Sequence, residues 1–403
     1  MPLRQQRCNP VQVRELTIYR LCLPLKRPIR HASFQRSDSE NILVSCTLSD
    51  GTVGWGEGVP RTYVTGESVS GAVKQLSVAG IDRQLNQDCT DWSDVIAMCL
   101  AIQLPPPHED PRGCYGNALR CAVELSILDA FGKMWDQPMS AVTHHYADAA
   151  AVRGNFHEVR YSGVITAETR QREGWSAIKM RAYGFAQCKI KVGMPGVDDS
   201  LRLRRLRRWL GQRMDLRLDA NEAWKPDELC ARAEPLLACS ITSLEQPVPH
   251  RDVAVLAEFR RNLPVRVMLD ESLTSEYDAV RAIQDQTCDL FNIRLSKCGG
   301  FLSSLRLAAL AKQAGLGYQL GCHPGESSIL SAAGRHFATS VANIAYLEGS
   351  YDRHILRHPL TAEDMTFAYG GRAAAIERGG LGVNVLPDRL RDLASICQTY
   401  VIE

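Results

Sequence analysis

Between residues 188 and 297 the chain alternates short apolar runs with longer amphipathic stretches, and each run stops on a charged side chain. The runs are Cys188-Lys189-Ile190-Lys191, Leu216-Arg217-Leu218-Asp219, Ile241-Thr242-Ser243-Leu244-Glu245, Val265-Arg266-Val267-Met268-Leu269-Asp270 and Phe291-Asn292-Ile293-Arg294-Leu295-Ser296-Lys297. Counted from Lys191, the closing charges follow at intervals of 28, 26, 25 and 27 residues. One strand, one helix and two short loops of a parallel β/α unit occupy about that length. Such units in series predict a parallel sheet closed into a (β/α)8-type barrel, an α/β fold. Strands over residues 161–166 and 186–192 open it, and strands over 317–322 and 344–348 complete it. Helical patterns around 198–210, 227–237, 252–261, 277–284 and 302–314 fit the alternation.

Upstream, residues 11–57 read as strands. Stretches 16–23 and 41–48 are rich in β-branched and apolar residues, and Asp50-Gly51 marks a hairpin turn into Val53-Gly54-Trp55-Gly56-Glu57-Gly58. A polar loop over 26–40 separates the first two strands, and a second loop over 59–68 follows the third. Helices come next, clearest at 117–133, where Ala118, Cys121, Ala122, Leu125 and Leu128 share a face. These elements describe an N-terminal α+β domain over 1–154, ahead of a barrel over 155–352. The segment 353–403, with Gly379-Gly380-Leu381-Gly382 and a final helix from Pro387, is expected to return and complete the first domain. The Gly54-x-Gly56-x-Gly58 cluster lacks the following helix of a βαβ unit, so it reads as a strand bend and not a dinucleotide site.

Composition narrows the partners. Charge is nearly balanced, 47 basic against 45 acidic side chains, which leaves no footprint for nucleic acid or an anionic membrane. The helix at 198–210 carries Arg202, Arg204, Arg205, Arg207 and Arg208. Leu201, Leu206, Trp209 and Leu210 supply a buried stripe, so it is expected as a solvated outer helix. No apolar stretch is long enough to span a bilayer, and no secretory h-region follows the first residues. Fourteen cysteines without a Cys-x-x-Cys pair suit buried reduced thiols in a cytoplasmic protein.

The barrel pattern also carries chemistry. Active sites of such barrels lie at the C-terminal ends of the strands, where side chains from different strands converge. Asp219, Glu245 and Asp270 on adjacent strands would repel one another without a cation. An all-oxygen set suits Mg²⁺, with Mn²⁺ as its substitute, better than zinc. Lys191 and Lys297 flank the acids and are expected to face each other across the ion. His354 and His358 have an i, i+4 spacing but no intervening Glu, which argues against a zinc site.

The chain resembles the enolase superfamily, and within it the muconate lactonizing enzyme (muconate cycloisomerase) subgroup. The motifs that carry the resemblance are Lys189-Ile190-Lys191, Asp219-Ala220-Asn221-Glu222-Ala223-Trp224, Glu245-Gln246-Pro247, Asp270-Glu271-Ser272 and Lys297-Cys298-Gly299-Gly300. Each is weak alone, but their order and spacing together are specific, and the resemblance extends over nearly the whole chain. It implies a modified TIM barrel whose mouth is capped by the α+β domain, with stretches around 29–34 and 61–65 closing over a small carboxylate substrate. It implies that Asp219, Glu245 and Asp270 bind the metal, supported by Asn221 and Glu271. Lys191 would be the acid/base on one face, and Lys189 would help neutralise the substrate carboxylate. Lys297 would be the acid/base, or a cation facing the enolate, on the other face.

Glu326, in Gly321-Cys322-His323-Pro324-Gly325-Glu326-Ser327, and Glu348 are expected to set specificity. His323 is expected to line the pocket, because the sixth strand offers Lys297 and not the aspartate partner of the mandelate racemase subgroup. Tyr63 lies in a stretch similar to the cap loop of dipeptide epimerases, whereas Tyr346-Leu347-Glu348 holds only half of their Asp-x-Asp pair. The activity implied is a divalent-metal-dependent isomerase, an epimerase or racemase or a cycloisomerase, that takes the proton α to a carboxylate and forms a metal-stabilised enediolate between two opposed lysines. The alternatives are an o-succinylbenzoate synthase-like dehydratase and a non-catalytic, metal-dependent binding barrel. A homo-oligomer is common in the family and is expected here.

Overall fold

A computed structural model describes residues 10–30, 35–166 and 169–403. The chain begins with β1 (Val13–Arg30), β2 (Gln35–Leu48) and β3 (Val53–Gly58). After several helices, β4 (Glu158–Arg160) leads into β5 (Gly163–Ile165), β6 (Gln187–Lys191), β7 (Asp215–Asp219) and β8 (Ile241–Glu245). Then come β9 (Arg266–Leu269), β10 (Leu290–Ile293), β11 (Gly317–Leu320) and β12 (Ile344–Leu347). β13 (Arg372–Ala374) and β14 (Ala394–Val401) follow. Strands β5 to β12 form one parallel sheet in sequence order, with helices between successive strands. A backbone bond from Ser162 N to Leu347 O, 2.8 Å, links the two ends of the sheet. Met268, Leu290 and Tyr346 form a small apolar cluster of their own; one from each of three strands, they fill the inside of the curled sheet.

The N-terminal sheet runs β14-β1-β2-β3, antiparallel throughout. The last segment was expected to return through a helix from Pro387. That helix, Pro387–Leu393, is present, but the chain then adds β14, whose register with β1 runs from Glu15↔Val401 to Leu21↔Ala394. The expected polar loop at 26–40 is also mostly strand, with pairing continuing to Ile29↔Arg36 and Arg30↔Gln35. Residues 26–28 are exposed, so backbone pairing there outruns the apolar alternation that signals a strand. The tip of that expected cap loop, residues 31–34, lies outside the described residues.

The glycine cluster of β3 is a packing surface and not a bend. A Cβ at Gly54 would stand 2.2 Å from Ala130 N, one at Gly56 2.0 Å from Ala122 O, and one at Gly58 1.9 Å from Ala118 O. Alternate strand positions thus meet successive turns of the helix Asn117–Met134, backbone against backbone. That helix is buried on nearly every side, as expected of one sandwiched inside a domain. Its Glu124 reaches across to accept from Phe301 N and Leu302 N, at the start of the barrel helix Phe301–Gln313.

The arginine-rich helix Asp199–Leu210 departs from expectation in its buried face. Leu203, Leu206 and Leu210 point inward, whereas Leu201 and Trp209 are exposed. Arg202 and Arg207 are buried as well, because their guanidinium donors find Glu173, Lys191 O, Cys239 O and Met214 O. No helix among the described residues is long and apolar enough to cross a membrane.

Candidate active site

The ladder register aligns the expected residues. Lys191 pairs with Asp219 and Asp219 with Glu245, so three charges from three strands stand side by side at one rim. Residues two apart on a strand share a face, which also turns Lys189, Arg217 and Asn292 inward. The contacts agree: the Arg217 guanidinium lies 4.3 Å over the Tyr346 ring and donates to Gln319 and Glu348. Asn292 Nδ2 donates to Glu245 Oε1 at 2.7 Å. The turns after these strands carry left-handed backbone at Asn221 (φ 42°), Glu222 (φ 63°) and Gln246 (φ 34°), the kind of strain that a surrounding structure must hold in place. Gln246 fastens the next turn, accepting from Asp270 N and Ser272 N and donating to Ser272 Oγ.

Lys189 sits at the centre of the acids. Its Nζ lies 2.9 Å from Glu348 Oε2 and 3.3 Å from both Asp219 Oδ2 and Glu245 Oε2. Burial disfavours the ammonium, but the three carboxylates outweigh it and push the Lys189 pKa well up. Glu348 is likewise held down at about 2, against its burial, by Lys189 and Arg217. Both oxygens of Glu348 therefore pair with resident cations, rather than waiting for a substrate ammonium. Glu245 has the opposite balance. Burial first, then Asp219, Glu348 and Asp270, raise its pKa to about 8 despite Lys189.

Lys191 is half-buried, and its Nζ donates to Asn221 Oδ1 at 2.7 Å. Asn221 in turn reaches Glu271 Oε1 at 3.5 Å, while Glu271 Oε2 is buried without a hydrogen-bond partner. Asn221 thus orients the lysine directly, and Asn221 N also donates to Asp219 Oδ1 at 3.0 Å.

Lys297 does not stand where the sequence reading put it. β10 ends at Ile293, and Lys297 lies in the turn beyond. Its ammonium donates to Asp270 O at 2.6 Å, Asp270 Oδ1 at 2.8 Å and Asn292 O at 2.8 Å. Three donors meet three acceptors in a fully buried setting, which makes Lys297 a clamp on Asp270. The residue at the inward-facing strand end is Arg294, bonded to Asp270 Oδ2 and 3.8 Å from Glu245 Oε1. Against burial, Arg294 and Lys297 hold Asp270 well below the usual carboxylate range.

Arg294, His323, Glu326 and Glu348 line one cavity. Burial, followed by the charges of Arg294 and Arg61, drives the His323 pKa well below its ordinary value, and His323 Nδ1 has no hydrogen-bond partner. Glu326 accepts from His323 N at 3.0 Å, and burial raises its pKa to about 8. Tyr63 is half-buried in the second cap loop, hydrogen-bonded to Arg61. Sequence reasoning missed Arg294, Arg217, Asn292 and Gln246. Parity was the available signal for the first three: Asn292 and Arg294 fall two apart, as do Arg217 and Asp219.

The donor set, all oxygen, has the chemistry of a hard-ion site, although among the described residues no group of three such side chains is gathered closely enough to hold a metal ion. Asp219, Glu245 and Asp270 are 1% exposed or less, present only oxygens, and come from adjacent strand ends. Three cationic groups, Lys189 Nζ, the Arg294 guanidinium and Lys297 Nζ, already stand among their oxygens. Burial is the largest cause of the raised Glu245 pKa, and Lys189 offsets it only in part.

Comparison with known proteins bears on the family and the fold. The family described as Enolase C-terminal domain-like matches residues 172–389. The chain is 28% identical over 316 residues to an L-Ala-D/L-Glu epimerase of Clostridium acetobutylicum, covering 77% of this chain and 82% of the relative. It is 27% identical over 394 residues to an N-succinyl-L-Arg/Lys racemase of Bacillus cereus, covering 95% and 98%. Among solved structures, the fold is similar to a dipeptide epimerase of Cytophaga hutchinsonii complexed with Mg and the dipeptide D-Ala-L-Val. The TM-score is 0.81 at 23% identity, covering 97% of this chain and all of that one.

Proposed function

The chain belongs to the enolase superfamily, and from that premise we propose that it is a divalent-metal-dependent isomerase that takes the proton α to the carboxylate of a small substrate. The observation that supports this reading is the row Lys191, Asp219 and Glu245, in register at one rim, with Asp270 directly after the next strand, β9. Asp219, Glu245 and Asp270 would hold Mg²⁺, or Mn²⁺ in its place. Such an ion, when bound, supplies positive charge to the substrate carboxylate as the neighbouring carbon becomes an anion.

The protein's own residues do the rest. Lys191, oriented by Asn221, receives the proton: the C–H bond breaks, its electron pair stays on carbon as the enediolate, and the hydrogen passes to Nζ. Lys189 adds charge beside the carboxylate. The walls around His323 and Glu326 and the cap loop with Arg61 and Tyr63 exclude water and bound the substrate's far end. Amino-acid derivatives bearing an amide are the first candidates, since two relatives are named for dipeptides and N-succinyl amino acids.

The test is a screen of small carboxylates in D₂O with Mg²⁺, read as deuterium gained at the α-carbon. Lys191→Ala is expected to abolish exchange. Glu245→Gln is expected to weaken Mg²⁺ binding in calorimetry while the circular dichroism spectrum stays that of wild type. Exchange that survives Lys191→Ala, or that proceeds unchanged in EDTA, overturns the reading.

A further inference from the structure

Three strands, β7 to β9, lie between β6 and β10 in a curled sheet of eight, so the groups at their ends face each other across the mouth. Lys191 ends β6. The inward residue that follows β10 is Arg294, in phase with Asn292, which reaches Glu245, and with Leu290, which lies in the barrel's interior cluster. Lysine and arginine are not equivalent here. An ammonium can lose its proton and act as a base, whereas a guanidinium stays charged at any pH at which the fold exists. Arg294 also pairs with Asp270 and stands 3.8 Å from Glu245 Oε1, which fixes it at that wall.

Lys297, in the turn beyond that strand, has every ammonium proton committed to Asp270 and Asn292 and no exposed side-chain surface. We propose that Lys191 is the only group of this site that exchanges a proton with carbon, and that Arg294 is a fixed cation opposite it. Hydrogen then leaves and enters the α-carbon on one face. This rests on the proton abstraction proposed above and narrows it. A site built this way does not invert the α-carbon; its net isomerisation comes from a bond made or broken at a neighbouring atom on Lys191's face, as in cycloisomerisation. In the ring-opening direction Nζ takes the hydrogen as the enediolate forms, the neighbouring bond breaks with its electron pair on the leaving carboxylate oxygen, and the proton passes from Nζ to solvent; in the ring-closing direction Nζ draws a proton from solvent and delivers it to the α-carbon on the same face.

His323 and Glu326 share the cavity wall with Arg294 and are the groups that could contradict this. The His323 imidazole is a poor acceptor beside the Arg294 and Arg61 charges. Glu326 is turned to the His323 backbone N–H.

The experiment offers the separate enantiomers of N-succinyl-arginine, and the separate epimers L-Ala-L-Glu and L-Ala-D-Glu, to the Mg²⁺-loaded enzyme in D₂O, followed by chiral chromatography and mass spectrometry. One isomer of each pair is expected to gain deuterium with its configuration kept, while the other stays unlabelled. Arg294→Lys, which installs a titratable amine on the facing wall, is expected to label both isomers and interconvert them. A readout independent of turnover accompanies this: reductive methylation of the folded protein is expected to mark Lys191 and spare Lys297. Inversion by the wild-type enzyme, whether lost in His323→Asn, in Glu326→Gln or in neither, overturns the single-face assignment but leaves proton abstraction standing. Methylation of Lys297 in the folded protein also overturns it. Absence of exchange with every probe fells the proton-abstraction reading and this inference together.

Discussion

Replacing Lys297 with methionine separates a clamp from a base. Methionine keeps the length and the unbranched stem but removes the charge and the three donors. Lys297 and Asp270 are each 0% exposed at the side chain and 2.8 Å apart, so the substitution leaves a buried carboxylate with one cation instead of two. Removing one member of a buried ion pair costs about 3–5 kcal/mol. Arg294 still holds Asp270, which puts the expectation near the lower end, at about 3 kcal/mol. The carbonyls of Asp270 and Asn292 also lose their donor, so the cost does not fall to zero.

The assay is urea unfolding at pH 7 in EDTA, which keeps metal binding from adding to either state. Asp270→Asn in the Lys297→Met background should recover much of the loss, because the two changes share one interaction. The reasoning is refuted if Lys297→Met unfolds at the wild-type midpoint yet has lost α-proton exchange. That pair of results would describe a base that contributes nothing to the fold.

Two further outcomes test the cap and its junction with the barrel. Burial raises the pKa of Glu124 to about 7, against the Phe301 and Leu302 N–H groups that lower it. The folded pKa lies above the unfolded value of about 4.3, so the unfolded chain sheds this proton first, and stability falls as pH rises from about 4.3 to about 7. Glu124→Gln keeps an acceptor for the helix start and removes that titration. The difference in stability between pH 4.5 and pH 7.5 should shrink by up to about 3 kcal/mol, and an unchanged pH profile in urea titrations would show that Glu124 is not the titrating group. Gly56→Ala would place a Cβ 2.0 Å from Ala122 O, backbone to backbone. No rotamer relieves that contact, so the loss should exceed the roughly 1–3 kcal/mol of ordinary overpacking, and a wild-type melting temperature would refute the flush packing of β3 on its helix.

What could be read in advance divides along a physical line. The barrel was legible because each strand is a short apolar run ended by a charge, and the register then carried Lys191, Asp219 and Glu245 to one level without any further assumption. Lys297 misled for the same reason: its spacing of 27 residues from Asp270 fits the repeat, but spacing counts chain length and not where the strand stops. The strand stops at Ile293, and period-2 parity from Leu290 and Asn292 selects Arg294. β14 and the extension of β1 and β2 were hidden because exposed side chains, as at residues 26–28 and 395–397, break the apolar alternation, and backbone pairing has no hydrophobic period. The glycines of β3 carried a signal of a different sort. Three glycines at i, i+2 and i+4 expose one bare strand face, and the face that matches it is Ala118, Ala122, Ser126 and Ala130, spaced by four along a helix. Either pattern alone is a curiosity of composition. Together they state that a strand and a helix touch through their backbones, and this is the contact that Gly56→Ala would break.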